Sequence, residues 1–209
     1  TFNVLTVVTN DTADKLDLVY DFFARHDLRW QQYIPCLDAF GENQGWLTVD
    51  KYAQFLCRLF DRWAEDVMQG RFIYIRQFEN YLGMLLGRPA ESCGMMGCCG
   101  MQYTVEADGS VYPCDFYVLD AYRLGSFVTD DFDALDEKRH ALRFVEDSAE
   151  KDTECLKCRY YPLCRGGCRR DRDDGAGHLS RTRFCSAYMQ FFDYALPRLQ
   201  HIAARCANR

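Results

Sequence analysis

Four cysteines lie within fourteen residues, and this run constrains the fold more than any other feature of the chain. Cys155, Cys158, Cys164 and Cys168 follow the spacing C-x2-C-x5-C-x3-C. Two glycines precede the last cysteine and allow the backbone to turn sharply there. Thiolates at such spacing bind metal, so the run predicts a cluster-binding segment. A structural zinc loop and disulfide bonds are the two alternatives.

Cysteines elsewhere in the chain separate these alternatives. The chain has 12 cysteines in 209 residues, and the apolar run 2–8 has the length of a strand rather than of a signal peptide, so cysteine density indicates metal rather than disulfides. Cys93, Cys99, Cys114 and Cys185 raise the number available to eight, which divides into two sets of four. In two-cluster ferredoxins one cysteine of a run ligates the other cluster. Iron-sulfur clusters are therefore favoured over zinc.

The overall composition excludes two broad classes. The net charge is -6, whereas a general nucleic-acid binder is usually basic. No apolar run approaches the roughly 18 residues of a membrane span, so we expect a soluble, cytoplasmic protein. The basic residues Arg165, Arg169, Arg170 and Arg172 alternate with aspartates, which predicts a solvated, self-compensating surface.

The first part of the chain alternates strand and helix patterns. Strands are predicted at 2–8, 28–34 and 71–75, and helices at 12–26, from Thr48 onwards and at 78–86. Three successive βα units predict parallel strands joined by helical crossovers. Such a sheet is open at its N-terminal edge, so we expect the chain to be a fragment of a longer protein.

From about Ala90 the pattern changes to cysteines, glycines and short strands, and we place a domain boundary there. Asp108 and Gly109 separate two alternating runs, 102–106 and 110–112, which is a strong hairpin signal. This hairpin ends at Cys114 and Asp115. A helix is predicted at 131–146, and a last helix begins at about Phe184.

These motifs resemble a known family. The spacing Cys93-x5-Cys99, the stretch Asp-Gly-Ser-Val-Tyr-Pro-Cys114-Asp115, the four-cysteine run and Cys185 resemble the SPASM domain of anaerobic sulfatase-maturating enzymes, a branch of the radical S-adenosylmethionine superfamily. The runs 2–9 and 32–36 resemble the last strands of that family's barrel. The resemblance implies α/β units of a partial (β/α)6 barrel at 1–89, an irregular α+β SPASM domain at 90–185 and a C-terminal helix at 186–209.

The resemblance also implies two 4Fe-4S clusters. One is assigned to Cys93, Cys99, Cys114 and Cys168, and the other to Cys155, Cys158, Cys164 and Cys185. Four protein ligands leave no iron open to substrate, which favours electron transfer. Cys98 is an alternative to Cys99 as ligand, and Cys36, Cys57 and Cys206 have no assigned partner.

Two further roles follow from the resemblance. Asp115 is expected to be the base that takes a proton from a cysteine or serine of a sulfatase, while a 5′-deoxyadenosyl radical removes hydrogen from the side-chain carbon and formylglycine results. A carboxylate fixed beside a metal ligand is well positioned for proton transfer. Gln32, Tyr33 and Ile34 are expected near the adenosine of S-adenosylmethionine, although a plain buried strand is the alternative.

One departure from the family is the absence of the CxxxCxxC motif that binds the radical-generating 4Fe-4S cluster. We therefore expect a C-terminal part of a longer enzyme, inactive alone, or a degenerate relative. The expected partners are a sulfatase polypeptide and an electron carrier such as flavodoxin or ferredoxin. A SPASM maturase of another ribosomal peptide and a non-catalytic zinc-binding module are the rival interpretations.

Overall fold

The first part of the fold is a small parallel sheet covered by helices. A computed structural model describes residues 2–40, 42 and 44–207. Strand β1 (Val4–Val8) pairs in parallel with β2 (Trp30–Pro35), and β2 pairs in parallel with β3 (Tyr74–Ile75), so the sheet order is β1-β2-β3. The elements in chain order are β1 (Val4–Val8), α1 (Asn10–Asp14), α2 (Leu16–Arg25), β2 (Trp30–Pro35), α3 (Val49–Met68), β3 (Tyr74–Ile75) and α4 (Arg76–Leu85). The predicted parallel βα units are confirmed.

The caps of these helices explain where they begin. Thr48 accepts the backbone N–H of Lys51 and starts α3 as predicted. The single helix predicted at 12–26 is wrong in detail. Thr9 caps α1 by accepting the N–H of Thr12, and the helix is interrupted at Lys15 before α2 begins.

The main core lies between α3, α4 and the sheet. The apolar stripe of α3 is buried as its spacing predicted, and Trp63 and Phe60 are fully buried. The last helix, α11 (Cys185–Ala207), packs against both α3 and α4. Phe191 of α11 meets Phe60 edge to face at 5.9 Å between ring centroids. The C-terminal helix therefore completes the core of the first βα units.

The cysteine-rich part contains a second, antiparallel sheet and several helical turns. Thr104 pairs with Tyr112 across the hairpin, which confirms that prediction, and Gly109 adopts the left-handed φ of 84° in its turn. The strand β6 adds to β5. The elements are α5 (Cys93–Met96), β4 (Thr104–Val105), β5 (Ser110–Tyr112), β6 (Gly125–Ser126), α6 (Phe132–Ala141), α7 (Phe144–Ala149), α8 (Thr153–Leu156), α9 (Tyr161–Cys164) and α10 (Arg169–Arg172).

Two expectations for this part are wrong. The helix predicted at 131–146 is divided between α6 and α7, because Arg143 adopts a left-handed φ of 49°. The solvated basic surface is also wrong, since Arg169, Arg170 and Arg172 are buried. Their guanidinium groups donate to backbone carbonyls of the loop after β2 and of α7, so they join segments that are distant in sequence.

Among the described helices, none combines the length and apolar character that a membrane span requires. The division of the chain at residues 89 and 185 stays a prediction.

Candidate functional site

A cavity of about 590 Å³ lies where the end of β2, the start of α4 and the cysteine-rich segments meet. Most of the predicted site residues line it. They are Gln32, Tyr33, Ile34, Cys93, Cys99, Cys114, Asp115, Cys164 and Cys168. Cys155, Cys158 and Cys185 do not line it. The fold therefore gathers residues from both parts of the chain around one open space.

Four of these cysteines form what we call the first thiol set. Its members are Cys93, Cys99, Cys114 and Cys168. Cys93 begins α5, and a Cβ added at the next residue, Gly94, would lie 3.4 Å from the Cβ of Cys168. Cys114 follows β5 in an extended conformation. The backbone N–H of Cys99 donates to the Ser148 hydroxyl at 2.8 Å, which fixes this cysteine to α7.

The thiols of the first set affect one another electrostatically. Burial raises the pKa of Cys99, and the Cys93 thiol raises it further. Burial is also the main cause that raises the pKa of Cys114 to about 12, with contributions from the Asp115 carboxylate and Cys99. The pKa of Cys168 is raised by burial, and Cys93 and Cys99 add to the effect. Thiolates in such a group are stable only when a cation neutralises them.

The second thiol set consists of Cys155, Cys158, Cys164 and Cys185. Three members lie on or beside the short helices α8 and α9, and Cys185 begins α11. Burial raises the pKa of Cys164 to about 11, and the other three thiols of the set raise it further. Burial and the thiols of Cys185 and Cys158 raise the pKa of Cys155. The second set is therefore a separate group of neighbouring thiols.

All twelve cysteines lie in the described part of the chain, and none of them forms a disulfide. Within that part, no group of three or more histidine, cysteine or acidic side chains is arranged to hold a single metal ion. Each set nevertheless consists of four thiols, a donor set that suits an iron-sulfur cluster. Ligation by these cysteines stays a prediction.

Asp115 stands at the edge of the cavity. It begins a short 3-10 turn, Asp115–Tyr117, and its side chain is exposed. The Cys114 thiol donates to its Oδ1 at 3.2 Å. The turn is held from its other end, because the hydroxyl of buried Tyr117 donates to Asp173 at 2.8 Å. The Asp115 carboxylate therefore lines the cavity and is carried by a turn that is anchored to the core.

The predicted adenosine-binding residues lie on β2 and face in two directions. Tyr33 is buried, packs against Phe55 at 5.6 Å between ring centroids and donates its hydroxyl to Gln31 at 2.8 Å. Gln32 and Ile34 lie on the opposite face of the strand, since neighbouring side chains alternate. Gln32 accepts a hydrogen bond from Arg76 at 3.0 Å. Tyr33 is thus mainly a core residue, whereas Gln32 and Ile34 are only partly buried.

Sequence reasoning missed the arginines behind the first thiol set. Arg172 donates to the carbonyls of Ser148 at 2.6 Å and Glu150 at 2.7 Å, which satisfies the C-terminal end of α7. Arg169 donates to the Phe144 carbonyl at 2.7 Å, and its guanidinium lies 4.6 Å from the Phe144 ring centroid. Residues three apart lie on the same face of a helical turn, so the spacing of Arg169 and Arg172 is a signal that both point the same way. The aspartates that alternate with these arginines concealed that signal.

Comparisons with known proteins agree with this geometry. Residues 95–159 match SPASM, an iron-sulfur cluster-binding domain. The chain is 38% identical over its whole length to a cysteine-type anaerobic sulfatase-maturating enzyme of Clostridium novyi, of which it covers 57%. A cysteine-type enzyme of Clostridium perfringens is 43% identical over 97% of this chain and 56% of its own length. Relatives named serine-type enzymes are 25% to 26% identical.

A solved structure is equally similar. Native anSMEcpe with bound AdoMet and Cp18Cys peptide superimposes with a TM-score of 0.90 and 43% identity, over 98% of this chain and 58% of that chain. The fold and the match at 95–159 define a protein with a SPASM-type iron-sulfur cluster-binding domain. The chain is similar to enzymes named cysteine-type anaerobic sulfatase-maturating enzymes and corresponds to their C-terminal part. It spans little more than half the length of the curated relatives that it matches.

Proposed function

We propose that this chain is the cluster-binding part of a radical S-adenosylmethionine enzyme that oxidises a cysteine of a sulfatase to formylglycine. One observation carries the proposal: a set of four thiols and an exposed carboxylate, Asp115, line the same cavity. The relatives named cysteine-type enzymes are 38% to 43% identical, and those named serine-type are 25% to 26% identical. This difference favours a cysteine target over a serine.

The first and second thiol sets are proposed to hold one 4Fe-4S cluster each. The all-thiol donors support this, and so do the buried Nε atoms of Arg169 and Arg172, which have no hydrogen-bond partner among the described residues. Such N–H donors suit a sulfur-rich acceptor. When bound, the clusters supply one-electron transfer. The cavity lining favours Cys99 over Cys98 as a ligand, since only Cys99 takes part in it.

Asp115 is proposed to accept the proton of the target thiol. Removal of that proton, of one hydrogen atom from the side-chain carbon and of one electron converts the cysteine into a thioaldehyde. Two electrons leave in total, one with the hydrogen atom and one through the protein. Water then replaces sulfur, and formylglycine and hydrogen sulfide result. The anchored turn at Asp115–Tyr117 holds the carboxylate where such proton transfer requires it.

The strand β2 is proposed to approach the adenosine of S-adenosylmethionine. Gln32 and Ile34 face away from the core, and Tyr33 anchors the strand against Phe55. AdoMet is bound in the solved relative, and we extend this to the present chain by proposal. The position of all three residues along the cavity supports the extension.

The radical-generating CxxxCxxC motif does not occur in the 209 residues. We therefore propose that the activity belongs to a longer chain, which binds S-adenosylmethionine on a third 4Fe-4S cluster. The partners proposed for it are a sulfatase polypeptide and a cytoplasmic flavodoxin or ferredoxin. The peptide bound to anSMEcpe supports a polypeptide substrate.

Two measurements test the proposal on the full chain purified without oxygen. Metal analysis should find about twelve irons with matching sulfide, four for each of three clusters. Zinc without sulfide would contradict the iron-sulfur assignment and support a zinc module.

The second measurement is product analysis by mass spectrometry after incubation with S-adenosylmethionine and a sulfatase peptide. A cysteine peptide should yield formylglycine faster than its serine counterpart. Iron-loaded, reduced enzyme that forms a thioether and no aldehyde would indicate a maturase of another peptide class.

A further inference from the structure

Two arginines are buried directly behind the first thiol set. Arg169 and Arg172 lie on α10, which begins immediately after Cys168, and they are only 5% and 3% exposed. Within the described residues their hydrogen bonds go to backbone carbonyls and not to carboxylates, although isolated buried charges are unfavourable. Their positive charges therefore lack a conventional counter-charge at hydrogen-bond distance.

Both guanidinium groups leave the same donor, the Nε–H, without a hydrogen-bond acceptor among the described residues. The terminal nitrogens of both guanidinium groups donate to carbonyls of α7 and the residue after it. The Nε of Arg169 and the Nε of Arg172 are buried and have no partner in the part of the chain that the structure describes. A buried donor without an acceptor is costly, so two such donors on the same helical turn point to an acceptor that binds there.

The first thiol set is the neighbour that these arginines influence. The guanidinium groups of Arg169 and Arg172 lie close enough to Cys99 to act electrostatically on its thiol. Ser148 joins them, because its hydroxyl accepts the Cys99 N–H while its carbonyl accepts from Arg172. The arginines thus stabilise negative charge at the first set and also hold α7 beside it.

The second thiol set has different surroundings. The arginine that acts electrostatically on Cys155, Arg181, is exposed to solvent, and Asp152 places a negative charge near the same thiol. Solvent screens the charge of an exposed side chain far more than that of a buried one. Lys151 influences both Cys99 and Cys155, so it does not distinguish the two sets. The buried guanidinium groups are specific to the first set.

We propose that Arg169 and Arg172 raise the reduction potential of the cluster on the first thiol set, through their charge and through Nε–H hydrogen bonds to its sulfur. This inference rests on the proposed function, which supplies the clusters. One-electron reduction adds one negative charge to the cluster, and nearby cations and N–H donors favour the reduced form. The first-set cluster is therefore the more easily reduced of the two.

Redox titration of the full, iron-loaded chain tests the proposal, with dithionite as reductant and electron paramagnetic resonance as readout. The first-set signal is identified as the one that changes in Cys114→Ser. In Arg172→Gln, we expect the ratio of reduced to oxidised first-set cluster at the wild-type midpoint to fall about tenfold, a shift of about 59 mV to lower potential for a one-electron couple. The second-set signal should stay unchanged. Arg172→Lys, which keeps the charge, should shift less.

Arg170 provides a matched control. It lies between the two arginines in sequence and is equally buried, but it donates to the Asp38 carbonyl at 2.6 Å and stacks on Phe40 at 3.6 Å. Arg170→Gln should shift the first-set potential much less than Arg172→Gln. An equal shift in both variants would overturn the assignment to Arg172.

The outcomes separate this inference from the proposed function. Wild-type enzyme without iron or sulfide contradicts the proposed function itself. Iron-loaded Arg172→Gln with an unchanged first-set potential overturns the inference alone. If Arg172→Gln does not retain iron, the first-set reduction potentials of Arg172→Lys and Arg169→Lys are compared with that of the wild type. Both variants keep the positive charge but lose the Nε–H donor of the arginine. A lowered first-set potential in these variants supports the inference, and an unchanged one overturns it.

Discussion

The two thiol sets differ in how the chain assembles them. Three members of the second set come from one short run, and the fourth begins the long helix α11. The first set takes its members from distant segments, among them the end of a strand and the residue before a buried arginine turn. All four of its members line the cavity, whereas Cys164 alone does so from the second set.

This difference indicates that the two thiol sets have different structural roles. The set that is compact in sequence reaches the cavity only through Cys164 and depends mainly on local turns and on α11. The set that is dispersed in sequence forms only when the hairpin, α5, α7 and α10 are all in place. We infer that the dispersed set is the one tied to the cavity and to the carboxylate of Asp115.

The largest effect should come from removing one ligand of each set in the full chain. Cys168→Ser and Cys185→Ser should each lose about four irons, because a cluster requires four ligands and the sets are separate. The measurement is iron and sulfide content of anaerobic protein. Cys206→Ser, at an exposed cysteine outside both sets, is the control and should lose none. Loss of about eight irons from either single variant would contradict two independent sets.

The next largest effect should come from Asp115, which lines the cavity together with the first thiol set. Asp115→Asn should reduce formylglycine formation by roughly 10² to 10⁴-fold, the usual contribution of a positioned base, with iron content unchanged. The rate is measured by mass spectrometry of the peptide product. Asp120→Asn is the matched control, since Asp120 begins the following 3-10 turn and does not line the cavity. Equal rates in wild type and Asp115→Asn would remove Asp115 from the role of base.

A smaller effect should appear at the helix that carries the second set. Phe191 is fully buried on α11, so Phe191→Ala should lower the free energy of unfolding by about 3–5 kcal/mol through loss of packing and a cavity. Denaturant titration with circular dichroism measures this. Because Cys185 begins α11, we expect the second-set iron to be released at lower denaturant than the first-set iron.

The control for this variant is Met189→Ala, on the same helix with 44% of its side chain exposed. It should change stability little. Simultaneous release of all iron in Phe191→Ala would show that the two sets are not separately stabilised.

The smallest effect is a pH dependence outside both sets. Burial is the main cause that raises the pKa of Glu79, on α4, from 4.5 to about 7. The folded state therefore binds this proton more tightly than the unfolded state, so its contribution to stability is complete below about pH 4.5 and is lost as the pH rises through 7. In Glu79→Gln, the free energy of unfolding should fall less between pH 5 and 8 than it does in wild type. Denaturant titrations at several pH values measure this.

Glu137→Gln, at an exposed glutamate on α6, should leave that slope as it is in wild type. If the free energy of unfolding falls as steeply with pH in Glu79→Gln as in wild type, the prediction is wrong and other groups, such as the thiols, cause the pH dependence.

Much of the site could be predicted because its chemistry depends on residue type and spacing. The cysteine pattern and the Cys114-Asp115 pair stand out in a single sequence, and the hairpin that presents them follows from Asp108-Gly109. The parallel order of the first three strands also follows from alternating βα patterns. The break at Arg143 could not be predicted, since a left-handed arginine carries no local signal.

The sequence by itself determined the kinds of ligand, the hairpin and the amphipathic stripe of α3, because spacing and periodicity encode them directly. Only the tertiary structure decided that Arg169 and Arg172 are buried behind one thiol set. A run of arginines and aspartates has the composition of a solvated surface. Its burial depends on carbonyls of α7 and the Phe144 ring, which folding brings to α10 from distant positions in the chain. The physical reason is that a buried charge needs partners, and local sequence does not specify partners that are remote.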